Sequence, residues 1–193
     1  IFLIQSQQSL YPISRYQSGY FPFQISEPAQ KVIFQLRQET YSGKLYEAVF
    51  AVSEEAAPHK TDFLNLVEKI RVNPRYTAAQ KEEDKADIIL QLLHEFVFRT
   101  YSGNDSRISE IFKNGLFNCV SSALLFNMVL DFFNMKSRAA VVPEHIFSIL
   151  VGSNRNFDVE TTVKYGFNAG QERNIIDELR RVTGLVRVPA SNP

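Results

Sequence analysis

The spacing of apolar residues changes once along this chain, and that change limits the folds open to it. From Pro28 to the region of Phe132 the apolar side chains recur three and four apart, as in Val32, Ile33 and Leu36 or Ile88, Ile89, Leu92, Leu93 and Phe96. From Ser137 onward, Ala139, Val141, Ile146, Phe147 and Ile149 read instead as extended chain, broken at Pro143 because proline is poorly placed inside a central strand. Gly152 to Asn156 is turn chemistry, and Phe157-Asp158-Val159-Glu160-Thr161 alternates as a second strand, so the two runs predict an antiparallel hairpin. Helices followed by a small sheet is the α+β pattern.

The punctuation divides the chain further. Residues 1–27, rich in Gln, Ser, Tyr and Phe with Pro12 and Pro22, read as an irregular arm. Residues 28–75 read as a helical hairpin extension. Its first helix starts at Pro28 and ends at Ser42-Gly43, and its second runs from Leu45 to about Ala57 with Pro58 closing it. Thr61 to Val72 predicts a further helix stopped by Asn73-Pro74. Residues 76–193 form the expected core domain, with a long helix from about Ala78 to Arg99, a turn at Tyr101 to Asp105, a short helix at Ile108 to Lys113, a helix from Gln171 to Val182 and a last strand at Leu185 to Val188.

Charge and length exclude some function classes. Lys and Arg total 21 against 21 for Asp and Glu, so the basic footprint of a nucleic-acid binder is missing. No apolar run approaches the roughly 20 residues of a membrane-spanning helix. The single cysteine cannot close an internal disulfide. Ile1-Phe2-Leu3-Ile4 reads equally as the tail of a removed signal sequence and as an excision boundary, which leaves an exported or periplasmic location and a cytoplasmic one both open.

That cysteine lies in Gly115-Leu116-Phe117-Asn118-Cys119-Val120-Ser121-Ser122, where a polar turn becomes an apolar helix. With Asn118 as the cap, the thiol of Cys119 sits among first-turn N–H groups at the positive end of the helix dipole, a position that favours the thiolate and offers donors to an oxyanion. A thiolate enzyme also needs a base and a group to orient it. His59 in its loop and His94 within a long helix read as surface or packing groups, whereas His145 opens a strand just after Pro143. Asp158 on the second strand can reach the imidazole if the register brings the two opposite. Glu160, two residues on, shares its strand face and reads either as an aid to the site or as a hydrogen-bond partner of a nearby loop. Cys119, His145 and Asp158 lack the paired spacing of a metal site, and a lone cysteine beside apolar residues also fits a small buried hydrophobe.

The segments FNCVSSALLFNMVL, VVPEHIFSILV and FDVETTVKYGFN together resemble the catalytic core of the transglutaminase-like superfamily, over roughly Asp84 to Asn168. The resemblance implies a papain-like α+β fold with Cys119 as nucleophile, His145 as general base and acid, and Asp158 orienting the imidazole. It implies no cofactor or metal, and acyl transfer or hydrolysis on an amide of a protein or peptide substrate. The chain has no tryptophan, so the oxyanion donors fall to Asn118 or to the Cys119 N–H. A different expectation, from the helical hairpin and aromatic arm, is a noncatalytic interaction module that meets a protein partner on its N-terminal helices.

Overall fold

A computed structural model describes residues 26–38, 41–142 and 145–168. The expected arm, apart from Ser26 and Glu27, lies outside these residues, as do Pro143, Glu144, the expected helix at 171–182 and the expected strand at 185–188. Among the described residues the chain forms seven helices: α1 (Glu27–Arg37), α2 (Leu45–Val52), α3 (Lys60–Arg71), α4 (Pro74–Ala78), α5 (Glu82–Phe96), α6 (Ile108–Asn114) and α7 (Cys119–Phe132). The strands are β1 (Thr100–Tyr101), β2 (Leu116–Phe117), β3 (Ser137–Val142), β4 (His145–Val151) and β5 (Asn156–Val159). None of these helices is long and apolar enough to cross a membrane.

Several boundaries differ from the sequence reading for local reasons. Helix α2 ends at Val52 rather than near Ala57, because Ser53 turns extended and its Oγ accepts the Ala56 N–H at 3.2 Å, competing with the helical ladder. Asn73-Pro74 both stops α3 and starts α4, since the Asn73 side chain accepts the Arg75 N–H at 2.9 Å and Pro74 occupies the first turn. The long helix begins at Glu82 rather than Ala78, with Glu82, Glu83 and Asp84 in the turn where negative charge meets the positive helix end. Tyr101, expected in a turn, instead begins a pairing: β1 runs parallel to β2, Thr100 against Leu116 and Tyr101 against Phe117. Gly115 makes this possible. It caps α6 at φ +70°, and its carbonyl accepts the Arg99 and Thr100 N–H groups at 2.9 and 3.1 Å.

Helix α7 is the centre of the fold. Ser121, Ser122, Ala123, Leu125 and Phe126 through Leu130 are all buried, so this helix has almost no solvated side. The antiparallel sheet, in the order β3-β4-β5, packs against it, with α2, α5 and α6 around the rest of its surface. The core is continuous from Phe50 and Phe63 on α2 and α3, through Ile89 and Leu93 on α5, to Phe126 and Leu150. The hairpin extension therefore shares one apolar interior with the segment that carries Cys119.

Phe126 is fully buried at the middle of α7 within the continuous core, and its truncation leaves a cavity there. Phe126→Ala should cost about 3 to 5 kcal/mol, read as a lowered denaturation midpoint at unchanged slope.

Candidate active site

The site begins with the cap of α7. Asn118 is 5% exposed and extended at φ −137°, ψ −171°. Its Oδ1 accepts the Val120 and Ser121 N–H groups at 3.0 and 3.1 Å, while Ser121 Oγ accepts the Asn118 N–H at 3.0 Å. This reciprocal cap holds the helix start from both ends. It occupies two first-turn donors and the Asn118 side-chain oxygen, and it leaves the Cys119 N–H outside the cap. Cys119 itself is half-buried and unpaired.

His145, 4% exposed, opens β4. Its Nε2 lies 2.5 Å from Glu160 Oε2. Its Nδ1 is buried with no hydrogen-bond partner among the described residues, and the Cys119 thiol is the other titratable group that interacts with the ring. The two groups act on each other. The imidazole lowers the Cys119 pKa, against burial that raises it and the Glu160 charge, and with help from the Ile146 backbone. Burial pulls the His145 pKa down, but the thiol and the Glu160 carboxylate outweigh it and lift the group to about 9. Both shifts run toward the charged pair, thiolate beside imidazolium, and the protonated ring donates from Nε2 to Glu160.

The carboxylate on the imidazole is thus Glu160, and the expected Asp158 stands elsewhere. In the β4–β5 register Asp158 is opposite Ile149, while His145 is opposite Val142 on β3. Ile149 is four residues from His145, or roughly 13 Å along an extended strand. Glu160 lies just past the end of β5, where the chain turns back toward His145.

Glu160 also makes the loop contact that its position suggested. Its Oε1 accepts the Thr162 N–H at 3.1 Å and the Thr162 hydroxyl at 2.6 Å. Its backbone N–H donates to the Gly166 carbonyl at 2.8 Å. Gly166 has to be glycine, because a Cβ there would collide with the Glu160 carbonyl.

Further side chains brace this turn. Thr161 Oγ1 and Ser122 Oγ share a hydrogen bond of 2.8 Å, tying the turn to α7. The Thr161 carbonyl accepts from His94 Nε2 at 3.0 Å, tying it to α5. His94, read from sequence as a packing group, does pack edge-on against Phe98 and Phe117, and burial pushes its pKa down to about 4. It is therefore a neutral donor, one that sequence spacing did not single out. Thr161 and Thr162 were read as strand and turn formers; a carboxylate followed two residues later by threonine is the local signal of the Glu160 contact.

A cleft of about 390 Å³ is lined by His94, Phe98, Tyr101, Phe117 and Thr162 and by neither Cys119 nor His145. Burial, then the charges of Cys119 and Glu160, raise the Tyr101 pKa, which keeps its phenol protonated. Among the described residues no cluster of three or more His, Cys, Asp or Glu is arranged to hold a metal ion. Compared with known proteins, the chain matches no family model, no curated protein and no solved structure.

Two pH effects follow. Because His94 titrates near 4 in the fold and near 6.5 when unfolded, the unfolded chain binds more protons between these values. Stability should fall as pH drops from 6.5 toward 4, by at most about 3 kcal/mol from this group, and His94→Gln should flatten that part of an acid-denaturation curve. At the reactive pair, Glu160→Gln removes one of the two groups that hold the imidazolium proton. The His145 titration, followed by NMR, should move below about 9 in this variant, with the fold intact by circular dichroism.

Proposed function

We propose that this chain is a cysteine-dependent acyl-transfer enzyme of the transglutaminase-like type, with a papain-like core and with Cys119, His145 and Glu160 as its working groups. The observation that carries the reading is a buried imidazole held between a helix-start thiol and a carboxylate bonded at 2.5 Å. That arrangement supplies a nucleophile, a proton carrier and an orienting group. Glu160 takes the orienting role that the resemblance implied for Asp158.

The reaction follows from the charges. The Cys119 thiolate attacks the carbonyl carbon of an amide, and the negative charge that develops on oxygen is met by the Cys119 N–H at the positive end of α7. The C–N bond then breaks, the His145 imidazolium gives its proton to the departing amine, and a thioester remains on Cys119. Water or a second amine attacks the thioester, His145 takes a proton from it, and the C–S bond breaks to return the thiolate. Glu160 stabilises the imidazolium and holds the ring in place without accepting its proton.

A peptide substrate suits the surface around the thiol. Val120 beside Cys119 is 39% exposed, and Val141, paired across the strand from Ile146, is 72% exposed. These side chains offer apolar contact next to a thiol that lies against the Ile146 backbone. A second reading rests on α1, where Phe34 and Leu36 are 64% and 44% exposed: a noncatalytic module that meets a protein partner on this helix and on α2. It requires nothing of Cys119.

The two readings part on thiol chemistry. Iodoacetamide should alkylate Cys119 well below the ordinary thiol pKa of about 8.5, and His145→Ala should remove that advantage. Cys119→Ala should abolish labelling by acyl-directed electrophiles while leaving the denaturation midpoint nearly unchanged. A thiol that titrates normally and ignores His145 would overturn the enzymatic reading, and loss of partner binding in Phe34→Ser would favour the module.

A further inference from the structure

At the far end of α7 from Cys119, roughly 18 Å along the helix, the start of α2, the last turn of α7 and the first residues of β3 enclose a cavity of about 530 Å³. Its size falls within the range of small-molecule sites, and its walls are unusual for a gap between packed elements. Lys44, Lys136 and Arg138 all line it, against Asp131 as the one carboxylate among its described lining residues.

These charges are poorly compensated. Lys44 Nζ donates to two neutral acceptors, the Asp131 backbone carbonyl at 2.6 Å and Asn134 Oδ1 at 2.7 Å. One oxygen of the Asp131 carboxylate accepts the Leu45 N–H at 2.8 Å. No ion pair joins Lys136 or Arg138 to a described residue. Lys136 immediately precedes β3 and Arg138 is its second residue, and both line the same cavity.

The second observation lies on the wall itself. Asn127 is 2% exposed, and its Nδ2 is fully used, donating to the Ala123 carbonyl at 2.7 Å and to Ser148 Oγ at 2.8 Å. Its Oδ1 is buried with no hydrogen-bond partner among the described residues. The cavity thus has a neutral polar wall at Asn127 and a positively charged one at Lys136 and Arg138. Leu45, Met135 and Val151 supply apolar surface between the two.

We propose that this cavity binds a small organic anion, a carboxylate or a phosphate, whose charged end meets Lys136 and Arg138 and whose neutral polar end lies against Asn127. The carbon skeleton lies along Leu45, Met135 and Val151. This site shares no residue with the Cys119 pair, so the two stand or fall separately.

The test is calorimetric titration of the full chain at low ionic strength with three probes: glutaramate, which has a carboxylate and a neutral amide donor, glutaramide, which lacks the charge, and inorganic phosphate. Glutaramate should bind saturably, about tenfold more weakly to the exposed-side double variant Lys136→Ala/Arg138→Ala and more weakly still as glutaramide. The Asn127 side-chain amide resonance should shift on binding. Phosphate binding tighter than glutaramate, with the same loss in the variant, would support the site and identify phosphate as the anionic group. The proposal is overturned if neither anion binds, if the double variant binds as well as the wild type, if glutaramide matches glutaramate, or if the Asn127 resonance stays still. Thiol alkylation measured in parallel reports on Cys119 alone and is expected to be unaffected by either probe.

Discussion

A carboxylate taken out of water must find donors for both oxygens, and the arrangement around Glu160 is the solution to that requirement. The residue is 6% exposed. One oxygen takes the Thr162 N–H and hydroxyl, and the other takes the imidazole of His145. Breaking any of these leaves a buried charge short of partners, which costs far more than a surface ion pair returns. The turn that follows β5 and the ring orientation of His145 both depend on this one group being satisfied.

The rest of the fold supplies rigidity to the same end. Helix α7 is buried along nearly its whole length, so its start cannot swing away from the sheet. The cap by Asn118 and Ser121 sets where that start is, and the bond between Ser122 and Thr161 joins it to the turn carrying Glu160. His94 adds a tether from α5, and it can do so because burial keeps the ring neutral. Cys119 and His145 thus come from two elements, α7 and β4, while the braces come from α5, α7 and the 160s turn.

The other end of α7 has a different electrostatic character. There the last carbonyls of the helix point outward, and Lys44 binds the one at Asp131, as expected for a cation at a negative helix end. Lys136 and Arg138 extend that positive surface beyond what the helix end requires. One helix thereby organises two unlike environments, each set by the sign of its exposed backbone groups.

Much of this was legible in the sequence for a local reason. The shift from helical to extended spacing, the Asn118 cap, Pro74 as a helix start and the break before His145 depend on a few neighbouring residues, and neighbours are what a sequence displays. The placement of Cys119 at a helix start and of His145 at a strand start belongs to the same class. The choice between Asp158 and Glu160 does not. Both lie on one strand run with the same parity, and only the register that pairs Ser148 with Val159 decides which lies nearer the imidazole. The pairing of β1 with β2, the tether from His94 and the orphan oxygen of Asn127 likewise arise between segments far apart in the chain. Tertiary structure alone determined them, because register and long-range contact are set by how the whole core packs around α7.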